Sequence, residues 1–321
     1  MELYDIIIIG GGPIGIACAL EAKKANLSYL IIEKGTIANS IYHYPLYMRF
    51  FSTAEKLELG EIPFITSSPK PGRQDALEYY QGIVRAKKLA INLYEKVINV
   101  RKENNVFAVV TDKNNYQSKN VIIATGFYDI PNSLGIPGEN LSKVRHYYTE
   151  PYPYANQKVV VIGASNSAVD AALETYRKGA DVTMIIKASE ISKSVKYWVK
   201  PDIENRISEG SIKAYFNSEV VEIRENSVLF KNEEGTQSEI QNDFVLAMTG
   251  YLPNFSFLES CGIKLIGEKK NPQFNPETME TNVENLFLAG VVCGGKDTHK
   301  WFIENSRIHA QLIIDKIKIS S

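Results

Sequence analysis

The chain has 321 residues, with 36 Lys and Arg against 37 Asp and Glu for a net charge of −1, and 44% apolar, 10% aromatic and 23% charged residues. At roughly 150 residues per domain this predicts two domains with cores of their own, and so average a composition excludes disordered, collagenous and coiled-coil chains. No excess of positive charge exists to attract nucleic acid or an anionic membrane. Three cysteines, Cys18, Cys261 and Cys293, with no C-x-x-C, are too few for a secreted disulfide scaffold or a zinc site. A reducing cytoplasm is the expected compartment, and no metal is expected. The N-terminal segment is acidic where a signal peptide would be basic, and no stretch approaches the roughly 20 apolar residues that span a bilayer, so a soluble protein is expected.

Ile6 to Ile9 is a continuous β-branched run, the pattern of a parallel strand buried on both faces, and it leads into Gly10-Gly11-Gly12-Pro13-Ile14-Gly15. Helix formers follow from Ile16 to Ala25, and Tyr29 to Ile32 supplies a second strand ending at Glu33. The unit is βαβ with G-x-G-x-x-G at its first turn. Gly10 makes the tight turn, Gly12 lets the backbone approach a pyrophosphate, and Gly15 allows close packing of helix on strand. Glu33 is placed to accept hydrogen bonds from the adenosine ribose.

Val121 to Gly126 and Phe244 to Gly250 read as strand-to-glycine crossovers between domains. Between them the first pattern recurs: Lys158 to Ile162 runs into Gly163-Ala164-Ser165-Asn166-Ser167-Ala168, a helical stretch, and a strand from Val182 to Ile186. This second strand ends on Lys187, with Lys193, Lys196 and Lys200 close behind, which suits a ribose 2′-phosphate. Opposite charge at the two ribose positions points to two nucleotides, FAD and NADPH. Asn285 to Gly290 repeats the strand-to-glycine pattern, and Phe302 to Lys316 reads as a helix with apolar positions Ile303, Ile308, Leu312, Ile313 and Ile317, so the C-terminal segment completes the first domain. The expected fold is α/β, two Rossmann-like domains with the second inserted into the first: residues 1–126 and 249–321 for FAD, and 127–248 for NADPH.

Taken in order, Gly10 to Gly15 with Glu33, Ala124-Thr125-Gly126, Gly163 to Ala168, Thr249-Gly250 and Ala289-Gly290 resemble the thioredoxin reductase-like flavoproteins with two dinucleotide-binding domains. Finer features, Ile32 to Gly35, Ser40 to Pro45, Phe50-Phe51-Ser52, Ile62-Pro63-Phe64, Trp198 and Phe302 to Asn305, are similar to those of the bacillithiol disulfide reductase family. The resemblance implies an NADPH-dependent FAD protein that reduces the disulfide of a low-molecular-weight thiol, and a homo-oligomer. Three departures bear on mechanism. The C-x-x-C of thioredoxin reductases is replaced by Tyr147 to Tyr154, which holds no thiol; the cysteine that the family often carries before the last fingerprint glycine is Ile14; and Val291 follows Gly290 where the wider group has an acid, a lack the resembling family shares.

Cys18 falls on the apolar face of the first helix and is read as core, and Cys261 as a loop thiol. Cys293 follows the segment expected to approach the isoalloxazine and is the weak catalytic candidate. His43, His146, His299 and His309 lack metal-ligand spacing. Tyr42, Tyr44, Tyr47, Phe50 and Phe51 suit a flavin wall or a substrate face, and simple core packing equally. The expected FAD residues are Gly10, Gly12, Pro13, Gly15, Glu33, Lys34, Thr125, Gly126 and Gly290. Those expected for NADPH are Gly163, Ser165, Asn166, Ser167, Ala168, Lys187 and Lys196. The partner is a small-molecule disulfide or a small redox protein. Two alternatives stand beside the disulfide reading: a ferredoxin or flavodoxin–NADP reductase, and a flavin-bound redox sensor without fast turnover.

Overall fold

The computed structural model describes residues 2–320 and divides into two compact units. One comprises Met1–Tyr44, Met48–Ile130 and Tyr251–Ser321, the other Pro45–Tyr47 and Pro131–Gly250. The main divisions therefore fall at 130/131 and 250/251, a few residues beyond the crossovers read from the sequence. No helix among the described residues is long and apolar enough to cross a membrane.

The first unit is built on a seven-stranded sheet. Leu3–Ile9 lies at its centre, parallel to Tyr29–Ile32 on one side and to Asn115–Ile123 on the other. Ile6, Ile7 and Ile8 are fully buried, which explains why this strand is unbroken β-branched sequence: both faces are covered and neither can be polar. The long strand Asn115–Ile123 changes neighbours along its length. Its first half pairs antiparallel with Val106–Thr111, and Val121 to Ile123 pair parallel with Leu286–Leu288. The sheet thus includes a strand that arrives more than 160 residues later in the chain.

The C-terminal segment differs from the single helix expected over 302–316. It forms a short helix Ile303–Ser306 and a longer one Ile308–Ser320. The Ala310 N–H bonds the carbonyl of Arg307, an i to i−3 bond that tightens the chain at the junction. In the longer helix Ala310, Ile313, Ile314 and Ile317 are buried while Ile308 is half exposed.

The second unit carries a five-stranded parallel sheet in the order Lys213–Tyr215, Asp181–Ile185, Lys158–Ile162, Phe244–Ala247, Val144–Arg145. Its strands alternate between two cores. Val159, Val161, Val182, Met184 and Leu246 join one cluster with the helix Asn166–Arg177. Val160, Ile162, Ile185, Val245 and Ala247 join another with Val220, Val228 and Phe230 from the three-stranded antiparallel sheet of Ser218–Ile223, Ser227–Asn232 and Gln237–Gln241.

In the first unit the helix Pro13–Lys24 packs so tightly on the sheet that a β-carbon at Gly15 would lie 1.9 Å from the carbonyl oxygen of Gly10. The obstacle is backbone and cannot swing away. Gly15→Ala is therefore expected to destabilise the protein by about 3 kcal/mol, read as a drop in the denaturation midpoint with little change in m value.

Candidate functional site

In the first unit the residues that the sequence singles out meet at one edge of the sheet, beyond the carboxyl ends of its parallel strands. Gly10 follows the central strand with φ of +110°, and a β-carbon there would lie 2.5 Å from the Ala124 carbonyl oxygen. Ala124 continues the neighbouring strand and donates its N–H to the Ile9 carbonyl (2.8 Å), which sets Thr125 and Gly126 beside the glycine turn. Ala289 donates in turn to the Ile123 carbonyl (3.0 Å), which brings Gly290 to the same edge, against Ile14. Three crossovers from distant parts of the chain converge there, the arrangement in which open α/β sheets bind ligands.

Gly12 differs from its neighbours. It precedes the helix in extended conformation with Pro13 at the first helical position, and a β-carbon on it would meet no heavy atom within 4 Å. Gly10 and Gly15 are glycines because protein backbone crowds them; Gly12 faces open space, so nothing within the chain demands a glycine there. A main chain left bare beside open space at the start of a helix suits the close approach of a phosphate.

Glu33 is buried at the end of Tyr29–Ile32. Its Oε2 accepts the Gly11 N–H at 2.7 Å and its Oε1 the Gly35 N–H at 2.9 Å. Burial raises its pKa above the usual carboxylate range, opposed by these two N–H groups and by the Lys34 ammonium. Each oxygen retains a free lone pair, which is what a ribose diol requires of its acceptor. The turn is clamped from outside, since the Glu33 N–H donates to the Asn92 carbonyl and the N–H groups of Glu95 and Tyr94 donate to the carbonyls of Glu33 and Gly35. The Lys34 ammonium pairs with Asp129 at 2.5 Å, a partner with no local signal in the sequence.

The second unit repeats the turn with different chemistry. Gly163 has φ of +128°, and Ser165 precedes the helix Asn166–Arg177 without capping it. Ala168, in the position of the third glycine, is fully buried. Lys187 is 81% exposed at its side chain and pairs with Glu219 at 3.0 Å. Lys193 is similarly exposed, beside Glu190. Lys196 is a different case: it is buried, and its ammonium is held by Asp170 at 2.7 Å. Asn166 holds the same loop from two sides, its amide donating to the Ser194 carbonyl and accepting the Lys196 N–H, both at 2.9 Å. The Ser192 N–H reaches the Ala164 carbonyl within the glycine turn itself. Asn166 and Lys196 thus fasten the basic loop over residues 188–199 to the phosphate-type turn.

The three thiols are buried. Cys261 caps the helix Phe255–Ser260 rather than standing in an open loop, and burial pushes its pKa, like that of Cys18, up to about 12. Burial also pushes Cys293 up, so none of the three is a ready thiolate at neutral pH. Of the aromatic stretch, Tyr44 packs edge-on against Tyr128 with ring centres 4.9 Å apart, while Tyr42, Tyr47 and Phe51 are exposed. Among the described residues no group of three His, Cys, Asp or Glu could hold a metal ion.

The model of the pyridine nucleotide-disulphide oxidoreductase family matches residues 7–290. A bacilliredoxin reductase, Bdr, of Bacillus subtilis (strain 168) is 47% identical over 312 residues, covering 97% of this chain and 96% of that protein. The chain belongs to the bacillithiol disulfide reductase family of these oxidoreductases. Solved structures of bacillithiol disulfide reductases Bdr from Bacillus cereus and Staphylococcus aureus superpose with a TM-score of 0.97 each, at 43% and 41% identity, covering both chains fully. It is an oxidoreductase of the thioredoxin reductase-like fold, and proteins of its family use FAD and NADPH.

Sequence reading singled out the turns, Glu33 and the lysines after the second strand, and did not reach Asp170, Glu219 and Asp129, the carboxylates that fix or occupy the lysines. Asp170 could have been found from its place one helical turn after Asn166, on the face turned to the loop. Removing one member of this part-buried pair leaves Lys196 with only the more distant charge of Glu174, so Asp170→Ala is expected to cost about 2 kcal/mol, and Asp170→Ala with Lys196→Met less. Chemical denaturation of the single and double variants checks this.

Proposed function

We propose that this chain is an NADPH-dependent FAD oxidoreductase that reduces the disulfide of a low-molecular-weight thiol of the bacillithiol type, without a dithiol of its own. The observation that carries the cofactor assignment is the contrast between the two glycine turns: one ends against a buried acid with spare acceptor capacity, the other against an exposed ammonium. The substrate class rests on the relatives, a bacilliredoxin reductase and two bacillithiol disulfide reductases.

Gly10 and Gly15 set the first turn, Gly12 leaves the main chain bare for the FAD pyrophosphate, and Pro13 starts the helix behind it. Glu33 accepts from the ribose hydroxyls, and Lys34 counters the burial of that carboxylate. Thr125, Gly126 and Gly290 offer main-chain groups at the same edge. For NADPH, Gly163, Ser165, Ser167 and Ala168 form the turn, and Lys187 exchanges Glu219 for the 2′-phosphate. Asn166 and Lys196 act through the loop they hold. Bound FAD supplies two-electron transfer between a nicotinamide and a disulfide. The chain's part is to bind and orient, and with all three thiols buried the reading needs no protein cysteine in the relay; Ile14 likewise offers none. The proposed setting is the reducing cytoplasm, and the proposed assembly a homo-oligomer, which light scattering on the loaded protein checks.

The testing experiment is anaerobic mixing of the FAD-loaded protein with NADPH or NADH, followed by oxidised bacillithiol, other small disulfides, a bacilliredoxin carrying a bacillithiol mixed disulfide, or a ferredoxin. Fast bleaching by NADPH and recovery with oxidised bacillithiol are expected. Recovery with ferredoxin alone would overturn the disulfide reading, and failure to bleach would overturn the enzyme reading in favour of a sensor.

Three variants sharpen this. Gly12→Ala should leave the melting temperature of the flavin-free protein within a few degrees yet lower FAD affinity at least about tenfold, because the new methyl enters only ligand space. Lys187→Glu should raise KM for NADPH at least about tenfold and leave that for NADH little changed. Cys293→Ser should retain disulfide turnover; loss of turnover with flavin reduction intact would restore the thiol route.

A further inference from the structure

His309 is a buried histidine that no step above uses. It begins the second turn of neither nucleotide motif, yet its ring lies at the edge where Gly290 meets the first glycine turn. Its Nδ1 accepts the Gly290 N–H at 3.1 Å across a buried contact. The Trp301 ring stands edge-on to the imidazole with centres 4.6 Å apart, and the Cys293 Sγ lies 4.0 Å from Nδ1.

The Gly290 turn has little else to fix it. From Ala289 to Gly295 the sequence is Ala-Gly-Val-Val-Cys-Gly-Gly, without a single strongly polar side chain. The segment can act on a flavin only through its main chain, so its usefulness depends on where that main chain is held. Around Gly290 itself the bonds are the Ala289 N–H to the Ile123 carbonyl at 3.0 Å, the Cys293 N–H to the Gly290 carbonyl at 3.2 Å, and the Gly290 N–H to His309. The first ties the turn to the strand Asn115–Ile123 and the last to the helix Ile308–Ser320. Gly290 adopts φ of +86°, and on its other side it lies against Ile14 of the fingerprint helix, where a β-carbon would come within 3.3 Å.

We infer that His309 is a positioning residue of the flavin site, its neutral imidazole holding the Gly290 turn against Ile14 so that the main chain of that turn is presented to FAD. This rests on the FAD reading proposed above. The hydrogen bond requires a lone pair on Nδ1 and hence the proton on Nε2. Burial lowers the imidazole's pKa from its ordinary 6.5 to about 4, which keeps that lone pair available at neutral pH. The Cys293 thiol lies beside the imidazole, and the Cys18 thiol of the helix Pro13–Lys24 acts on Cys293. The Lys300 ammonium acts on Cys293, and burial is the one cause acting on His309.

Linkage gives the sign. The unfolded chain protonates this histidine near pH 6.5 and the folded chain only near pH 4, so its contribution to stability is complete above 6.5 and is lost as pH falls through that window. His309→Asn supplies an amide oxygen close to the position of Nδ1, an acceptor that does not titrate. His309→Leu supplies none.

The experiment measures FAD affinity of each variant at pH 7.5, the flavin absorption and fluorescence of the loaded protein, and its thermal flavin release between pH 7.5 and 4.5. His309→Leu should lose about tenfold in FAD affinity, the scale of one orphaned buried N–H, and alter the flavin spectrum. His309→Asn should restore affinity to within about threefold of wild type and remove a component of acid sensitivity worth up to about tenfold per pH unit in the unfolding equilibrium. Unchanged affinity and spectrum in His309→Leu would overturn the inference, as would full wild-type acid sensitivity in His309→Asn, which decides the matter even where the leucine variant does not fold. A wild-type chain that takes up no FAD would overturn the FAD reading itself, and this inference with it.

Discussion

A carbonyl oxygen cannot share space with a methyl group, and the first unit is arranged around that exclusion. The helix Pro13–Lys24 lies on the central strand at a distance that leaves 1.9 Å between the Gly10 oxygen and the place where a side chain on Gly15 would begin. At that separation the helix starts directly above the strand's end and the bare turn between them faces outward. The second unit relaxes the constraint slightly. Ala168 stands where Gly15 does in the first, and a β-carbon on Gly163 would already press on Ala168 at 3.2 Å and on the Met248 oxygen at 2.6 Å. One methyl group of extra separation is tolerated there, with the same topology.

The two turns differ more in electrostatics than in shape. Glu33 is buried, bonded to two backbone N–H groups and clamped by the segment around Asn92 and Glu95, so its carboxylate is fixed before any ligand arrives. Lys187 is in water, with a carboxylate partner it can release, and a surface pair of that kind contributes little to stability. The first arrangement favours a nucleotide that stays; the second favours one that comes and goes, in line with the roles proposed for FAD and NADPH. Lys196 shows why a run of lysines in sequence is not a run of equivalent charges in space. Its ammonium is committed to Asp170, and it holds the loop that carries the exposed Lys193.

Much of this was legible in the chain because it is local. Ile6 to Ile9, the glycine turn, the following helix and Glu33 lie within one βαβ unit, where strand burial, backbone crowding and helix propensity act over a few residues. The repeat from Lys158 to Lys187 was legible for the same reason. The rest depends on partners distant in sequence. Nothing near Lys34 announces Asp129, nothing near Lys187 announces Glu219, and His309 reads only as a histidine without metal-ligand spacing until the fold brings Gly290 to its ring. The C-terminal helix was legible as a helix but not as two, because the break follows from how Arg307 and Ala310 are bonded rather than from any proline or glycine.

The strand Leu286–Leu288 has a bearing on how the protein is made. It pairs with Val121 to Ile123 and closes one flank of the first unit's sheet, yet the ribosome produces it only after the whole of residues 131–250. During synthesis every residue of the second unit has been made while the first still presents Val121, Ile122 and Ile123 as an open, apolar strand edge. Such an edge invites pairing with any passing strand. The nascent chain therefore spends the interval between those two stretches in its most aggregation-prone form, and a message broken off ahead of codon 286 would leave it there permanently.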